Sequence, residues 1–250
     1  MTVATGEAEE LRARFLDLAP EGFEEVEREE TVELAAYGPA AERIRAAYPS
    51  AAVTEVADGW EERWREFHHG LVIGSLWIGP PWEAPPAGST PVVIDPGRAF
   101  GTGAHPTTRL CLELLLERPP GSLVDIGCGS GVLSIAASRL GFRPVTAIDV
   151  DPIAVEVTIE NATVNRESVD ARAADATAGP LPAADLAVAN IALAAVEALG
   201  PRLRSPYAIT SGYLVADRPK LAGFVHRERR ELDGWAADLF ERRQAGSGAA

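Results

Sequence analysis

Residues 125–131 read D-I-G-C-G-S-G, set between an apolar run, Leu123–Ile126, and a helical pattern over 131–140. A strand that runs into a glycine turn and then a helix is the opening βα unit of a doubly wound sheet, where such folds hold nucleotide-like ligands. Gly127 and Gly129 let the backbone approach a ligand, and Ser130 can cap the helix. A dinucleotide fingerprint needs G-x-G-x-x-G, but counted from Gly127 its last position is Val132. No dedicated pyrophosphate seat is present.

The pattern repeats downstream. Strands are expected at 145–150, 169–174, 185–191 and 207–211, helices at 152–165 (opened by Pro152) and 193–199, and a hairpin at 224–232 with 235–242. Alternating strands and helices imply an α/β fold, a mostly parallel sheet with helices on both faces. Upstream, residues 1–57 read β-α-β-β-α-β, with Leu11, Phe15 and Leu18 at helical spacing, the order of a small ferredoxin-like α+β module. Trp60, Trp64 and Phe67 follow on one helical face, and Pro80, Pro81, Pro85 and Pro86 mark a seam. The expected organisation is a ferredoxin-like domain at 1–57, a Trp- and Pro-rich connector at 58–88, a doubly wound domain at 89–243 and a disordered tail at 244–250.

The acids narrow the ligand. Asp149 ends the second strand at about the 20-residue offset of a ribose-binding carboxylate, and Asp175, just after the third, can accept from an exocyclic adenine amine. One ribose, one adenine and no pyrophosphate describe S-adenosylmethionine better than a nicotinamide cofactor. Residues 95–108, D-P-G-R-A-F-G-T-G-A-H-P-T-T, run into a helix with Pro106 in its first turn. That helix start, with the Thr108 hydroxyl and free N–H groups, is a seat for the cofactor's carboxylate. The stretch before it, with Phe100 and Gly101, would cover the cofactor as a lid. The competing reading is purely structural: glycines for packing, aspartates and threonines for capping.

The chain has 250 residues, 46% of them apolar and 24% charged, enough to fill a real core. Its net charge of −14 argues against direct nucleic-acid binding, which needs a basic footprint. No apolar run approaches the ~18 residues of a membrane helix. The acidic N-terminus lacks a signal-peptide pattern, and two cysteines are too few for a disulfide framework, so a cytoplasmic protein is expected. His68, His69 and His226 form no ligand spacing, and no metal is expected.

The segments D-P-G-R-A-F-G-T-G-A-H-P-T-T-R-L-C-L, D-I-G-C-G-S-G-V-L-S-I-A-A, A-I-D-V-D-P-I-A-V and V-A-N-I closely resemble the PrmA family of ribosomal protein methyltransferases. The resemblance covers nearly the whole chain. It implies a class I methyltransferase fold with an N-terminal ferredoxin-like domain, and transfer of methyl groups from S-adenosylmethionine to lysine and N-terminal amines of large-subunit ribosomal protein L11. It implies cofactor contacts at Thr108, Gly127, Asp149 and Asn190; Gly129, Asp175, Phe100 and Gly101 join them from the reading above. After V-A-N-I the chain departs from the family, reading A-L-A-A-V-E-A-L. Asn190, at the carboxyl edge of the sheet, either aims the amine at the methyl group or holds the cofactor. His105 is expected to pack the lid. A monomer acting on a ribosomal protein is expected. The alternatives are a methyltransferase of another protein or of a small molecule, and a non-catalytic S-adenosylmethionine-binding factor of the ribosome.

Overall fold

The computed structural model describes residues 1–4, 11, 14–15, 18–19, 24–27, 31–36, 38–52, 69–95 and 103–243. The tryptophan stripe at 60–67, most of the strand expected at 51–57, Phe100, Gly101 and the tail lie outside the described residues. The chain divides into two compact units, residues 1–64 and 65–250.

In the first unit, β1 (Thr2–Ala4), β2 (Glu24–Glu27) and β3 (Thr31–Ala35) form an antiparallel sheet in the order β1-β3-β2, followed by helix α1 (Gly38–Ala47). Residues 11, 14, 15 and 18 are helical, and Leu11 and Phe15 are buried, as their i, i+4 spacing requires. They meet Val32 and Leu34, alternate residues of β3, and Ile44 of α1.

The second unit begins with β4 (Leu71–Ile73), β5 (Leu76–Gly79) and β6 (Thr90–Val93), with β4 antiparallel and β6 parallel to β5. Trp77 is buried in a slot between two glycines: a Cβ on Gly70 would lie 2.3 Å from its Nε1, and one on Gly79 would lie 2.2 Å from its Cζ2. Any larger residue at either position displaces the ring.

After helix α2 (Pro106–Leu116) come β7 (Leu123–Ile126), α3 (Val132–Arg139), β8 (Val145–Asp149), α4 (Pro152–Asn165), β9 (Asp170–Ala173), β10 (Leu186–Asn190), α5 (Leu193–Leu199), β11 (Tyr207–Leu214), β12 (Phe224–Leu232) and β13 (Trp235–Arg242). The strands form one sheet in the order β12-β13-β11-β10-β7-β8-β9, parallel from β11 to β9, with the β12–β13 hairpin added antiparallel. The expected hairpin, 224–232 with 235–242, has these bounds. One face packs Leu110, Leu112, Leu114, Leu115 and Ile135 of α2 and α3 against Leu123, Val188 and Ile209. The other packs Val196 and Leu199 of α5 against Val124, Ile126 and Ala189. Each large aliphatic side chain so buried contributes about 1.5–3 kcal/mol.

Strand order decides where a ligand can go. The chain moves outward from β7 to β8 and β9, then returns to the other side of β7 as β10. This reversal opens a crevice at the carboxyl ends of β7 and β10. Gly127 and Asn190 both lie there.

Candidate cofactor site

The glycine turn is built by positive backbone torsions. Gly127 has φ +76°, and a Cβ on it would stand 2.3 Å from Cγ2 of Ile191, so the site tolerates no side chain there. Gly127 and Cys128 donate their N–H groups to the Ile148 carbonyl at 2.8 and 3.1 Å, lashing the turn to β8. Helix α3 starts at Gly131, in the left-handed region and without a side-chain cap, and the Ser130 hydroxyl accepts the Val132 N–H at 3.4 Å. Helix α4 supports the turn from below. The Thr158 hydroxyl donates to the Gly129 carbonyl at 3.0 Å, and Asn161 Nδ2 donates to the Ser130 carbonyl at 2.9 Å.

Asp149 sits against this turn. Its Oδ2 accepts the Gly129 N–H at 3.0 Å and its Oδ1 accepts the Asp151 N–H at 3.0 Å. Two backbone donors orient the carboxylate and leave each oxygen a lone pair, the geometry that receives a vicinal diol. The Ala174 N–H donates to the Asp149 carbonyl, which brings the start of the next loop, with Asp175, alongside. Asp175 Oδ1 accepts from the N–H and the hydroxyl of Thr177 at 2.7 and 2.6 Å, which holds its carboxyl below the usual range. Beside it is a cavity of about 580 Å³ lined by Ile148, Ala174, Asp175, Pro180, Leu181 and Pro182 among others. Largely apolar walls, with Arg172 and the Asp175 carboxylate the charged groups of the lining, suit a flat base bearing an exocyclic amine.

On the other side of β7, Asn190 Nδ2 donates to the Thr108 hydroxyl at 3.3 Å. With its amide nitrogen so engaged, Asn190 keeps its side-chain carbonyl oxygen as an acceptor. The start of α2 differs from expectation. His105 is its N-cap: the His105 Nδ1 accepts the Thr107 N–H at 3.3 Å, and the His105 carbonyl accepts the Thr108 and Arg109 N–H groups at 3.1 Å. The N–H groups expected to be free are therefore spent within the cap, and Thr108 offers its hydroxyl instead. The His105 ring meets Trp235 edge-on at 4.9 Å between centroids. Burial lowers its pKa, which keeps Nδ1 an acceptor.

Four residues near the site escaped the sequence reading. Asp125 is wholly buried, one oxygen accepting the Ser134 hydroxyl at 2.6 Å while Oδ1 has no partner, and burial pushes its carboxyl up to about 6. The second is Gly212, in β11 at φ +100°, where a Cβ would lie 2.2 Å from the Ile191 carbonyl oxygen. Asn161 and Asn165 of α4 are the others; two polar residues one turn apart on a mostly apolar helix are their only sequence signal. Cys128 and Cys111 are buried and their thiols are pushed up, Cys128 to about 12, so neither is an activated nucleophile. Among the described residues no cluster of three or more metal-ligating side chains occurs, and no helix is long and apolar enough to cross a membrane.

A family model described as ribosomal protein L11 methyltransferase (PrmA) matches residues 23–240. Curated relatives of that name include one from Myxococcus xanthus, 40% identical over 131 residues, and one from Prochlorococcus marinus, 52% identical over 112. These alignments take in 49% and 42% of this chain but only 46% and 37% of the relatives, so the chain spans less than half the length of the curated relatives it matches. The crystal structure of a ribosomal protein L11 methylase from Lactobacillus delbrueckii subsp. bulgaricus superposes with a TM-score of 0.62 at 30% identity, over 70% of this chain and all of the other.

Proposed function

The chain belongs to the ribosomal protein L11 methyltransferase (PrmA) family, and from that premise we propose that it transfers methyl groups from S-adenosylmethionine to amines of ribosomal protein L11. The observation that carries the cofactor half is Asp149: a carboxylate aimed by Gly129 and Asp151, beside the glycine turn and a largely apolar cavity rimmed by Asp175. The donor set fits the group. Asp149 takes the ribose hydroxyls, the cavity takes adenine with Asp175 accepting from its amine, and the carboxylates of Asp125 and Asp149 favour a cationic ligand. Thr108 completes the set from α2.

S-adenosylmethionine supplies an electrophilic methyl carbon on a sulfonium. The residues of the chain do the rest by positioning. A lysine amine attacks only after losing its proton, because the ammonium has no lone pair. The Asn190 carbonyl oxygen, left as an acceptor by the bond of Nδ2 to Thr108, takes an amine N–H and aims the lone pair. With its first proton passed to solvent and its lone pair so aimed, the amine nitrogen would take the methyl group as the C–S bond gave its electron pair to sulfur, the methylated ammonium then being free to release a proton to solvent. His105 acts in this scheme as the cap of α2 and the holder of Thr107, not as the base.

The test is mass spectrometry of recombinant L11 after incubation with the chain and S-adenosylmethionine. Stepwise mass gains of one CH₂ each, absent with Asn190→Ala, are the expected result. No gain, with cofactor binding intact by calorimetry, overturns the L11 assignment and leaves a methyltransferase with another acceptor.

A further inference from the structure

We infer that Asn161 is a positioning residue that sets the cofactor turn by tying it to the end of β6, an inference that rests on that turn being the cofactor site. Asn161 and Asn165 are 4% and 2% exposed, one turn apart on α4. β6 is an edge strand of its sheet, so its outer backbone groups need partners. The Asn165 carboxamide supplies them as a neighbouring strand would: Oδ1 accepts the Val93 N–H at 2.8 Å and Nδ2 donates to the Val93 carbonyl at 2.6 Å. Asn161 repeats the device one turn earlier with a different partner. Its Oδ1 accepts the Asp95 N–H at 3.4 Å, but its Nδ2 donates to the Ser130 carbonyl at 2.9 Å.

One side chain thus joins Asp95, where the D-P-G-R-A-F-G-T-G-A-H stretch begins, to the serine of G-C-G-S-G. The Ser130 carbonyl belongs to the peptide that precedes Gly131, so its orientation governs the left-handed entry to α3. Through the turn it governs the Gly129 N–H that aims Asp149. A carbonyl held by a buried amide has one orientation; without the amide it seeks another donor, and the turn follows. Asn165 touches β6 and the backbone of its own helix, and makes no bond to the turn. The two asparagines therefore separate fold from site.

The experiment compares Asn161→Ala with Asn165→Ala, measuring thermal unfolding, the dissociation constant of S-adenosylhomocysteine by calorimetry, and the cofactor KM and kcat with L11 as acceptor. Both variants lower the unfolding temperature. Only Asn161→Ala weakens binding, on the order of tenfold, the lower end of the loss seen when a group that orients a metal ligand is removed. Its cofactor KM rises while kcat at saturating cofactor is kept. If Asn161→Ala does not fold, Asn161→Ser gives the same comparison with a smaller loss. Equal weakening by both variants, or unchanged binding by the Asn161 variants, overturns the inference. A wild-type chain that binds no S-adenosylhomocysteine overturns the cofactor reading itself, and this inference with it.

Discussion

Asp125 holds a carboxyl in a place from which water is excluded, with a single hydroxyl donor, Ser134, for its two oxygens. Burial raises its pKa from 3.8 to about 6, the Ser134 bond opposing and the Asp149 charge adding. A raised folded-state pKa means that this group's stabilisation is complete below the unfolded pKa and is lost as pH rises through about 6. At pH 7 the fold carries a desolvated charge. Asp125→Asn keeps an acceptor for Ser134 and removes that charge. Thermal unfolding of the ligand-free variant is expected to lose the wild-type decline between pH 3.8 and about 6, with a gain at pH 7 on the order of 2 kcal/mol. Parallel pH profiles for the two proteins would refute the argument. Asp125 reads in the sequence only as the acid opening the glycine motif; its burial depends on α2 and α3 closing over β7, which no local pattern states.

Helix α2 shows how an element can satisfy its own start. Pro106 has no N–H to orphan, and His105 takes the N–H groups of Thr107, Thr108 and Arg109 through one ring nitrogen and one carbonyl. His105→Ala removes the side-chain acceptor and is expected to cost about 1 kcal/mol in chemical denaturation, while His105→Asn recovers most of it. Equal losses for both would assign the effect to the Trp235 contact instead. The pH sign is opposite to that of Asp125. Burial lowers the His105 pKa below 6.5, so the cap is intact above that value and weakens as pH falls below it. The proline and threonines that mark this helix start are legible in sequence; that His105 takes these N–H groups is a matter of backbone geometry at residue 105. Gly212 is similar. A glycine within a strand signals a bulge, and the register of β11 does shift between Ser211 and Tyr213. Its φ of +100° already disfavours a side chain, and the approach of Ile191, a residue on another strand's loop, leaves no room for one.

At the scale of the molecule, the two compact units invite separate tasks. The glycine turn, Asp149, Asp175, Thr108 and Asn190 all belong to residues 65–250. Removing residues 1–64 is expected to leave S-adenosylhomocysteine affinity within about twofold while methylation of L11 is lost, since the remaining candidate for recruiting a protein acceptor is that first unit. Calorimetry and methyl incorporation on the same preparation test this; full methylation by the truncated chain would refute it.

What the sequence determined by itself is the part of the protein written in local chemistry. A glycine turn between strand and helix, an acid ending the next strand, prolines at helix starts and the period of the terminal hairpin are each set by neighbours within a few residues. They sufficed for the α/β sheet, the turn at 127–131 and the carboxylate of Asp149. The tertiary structure alone decided the rest: the β4–β6 sheet with Trp77 between two glycines, the buried Asp125, and the asparagines of α4 that bind Ser130, Val93 and Asp95. Those contacts span 31 to 72 residues of chain. A hydrogen bond between such distant groups exists only once the sheet order has brought them together and excluded the water that would otherwise take the asparagines' place.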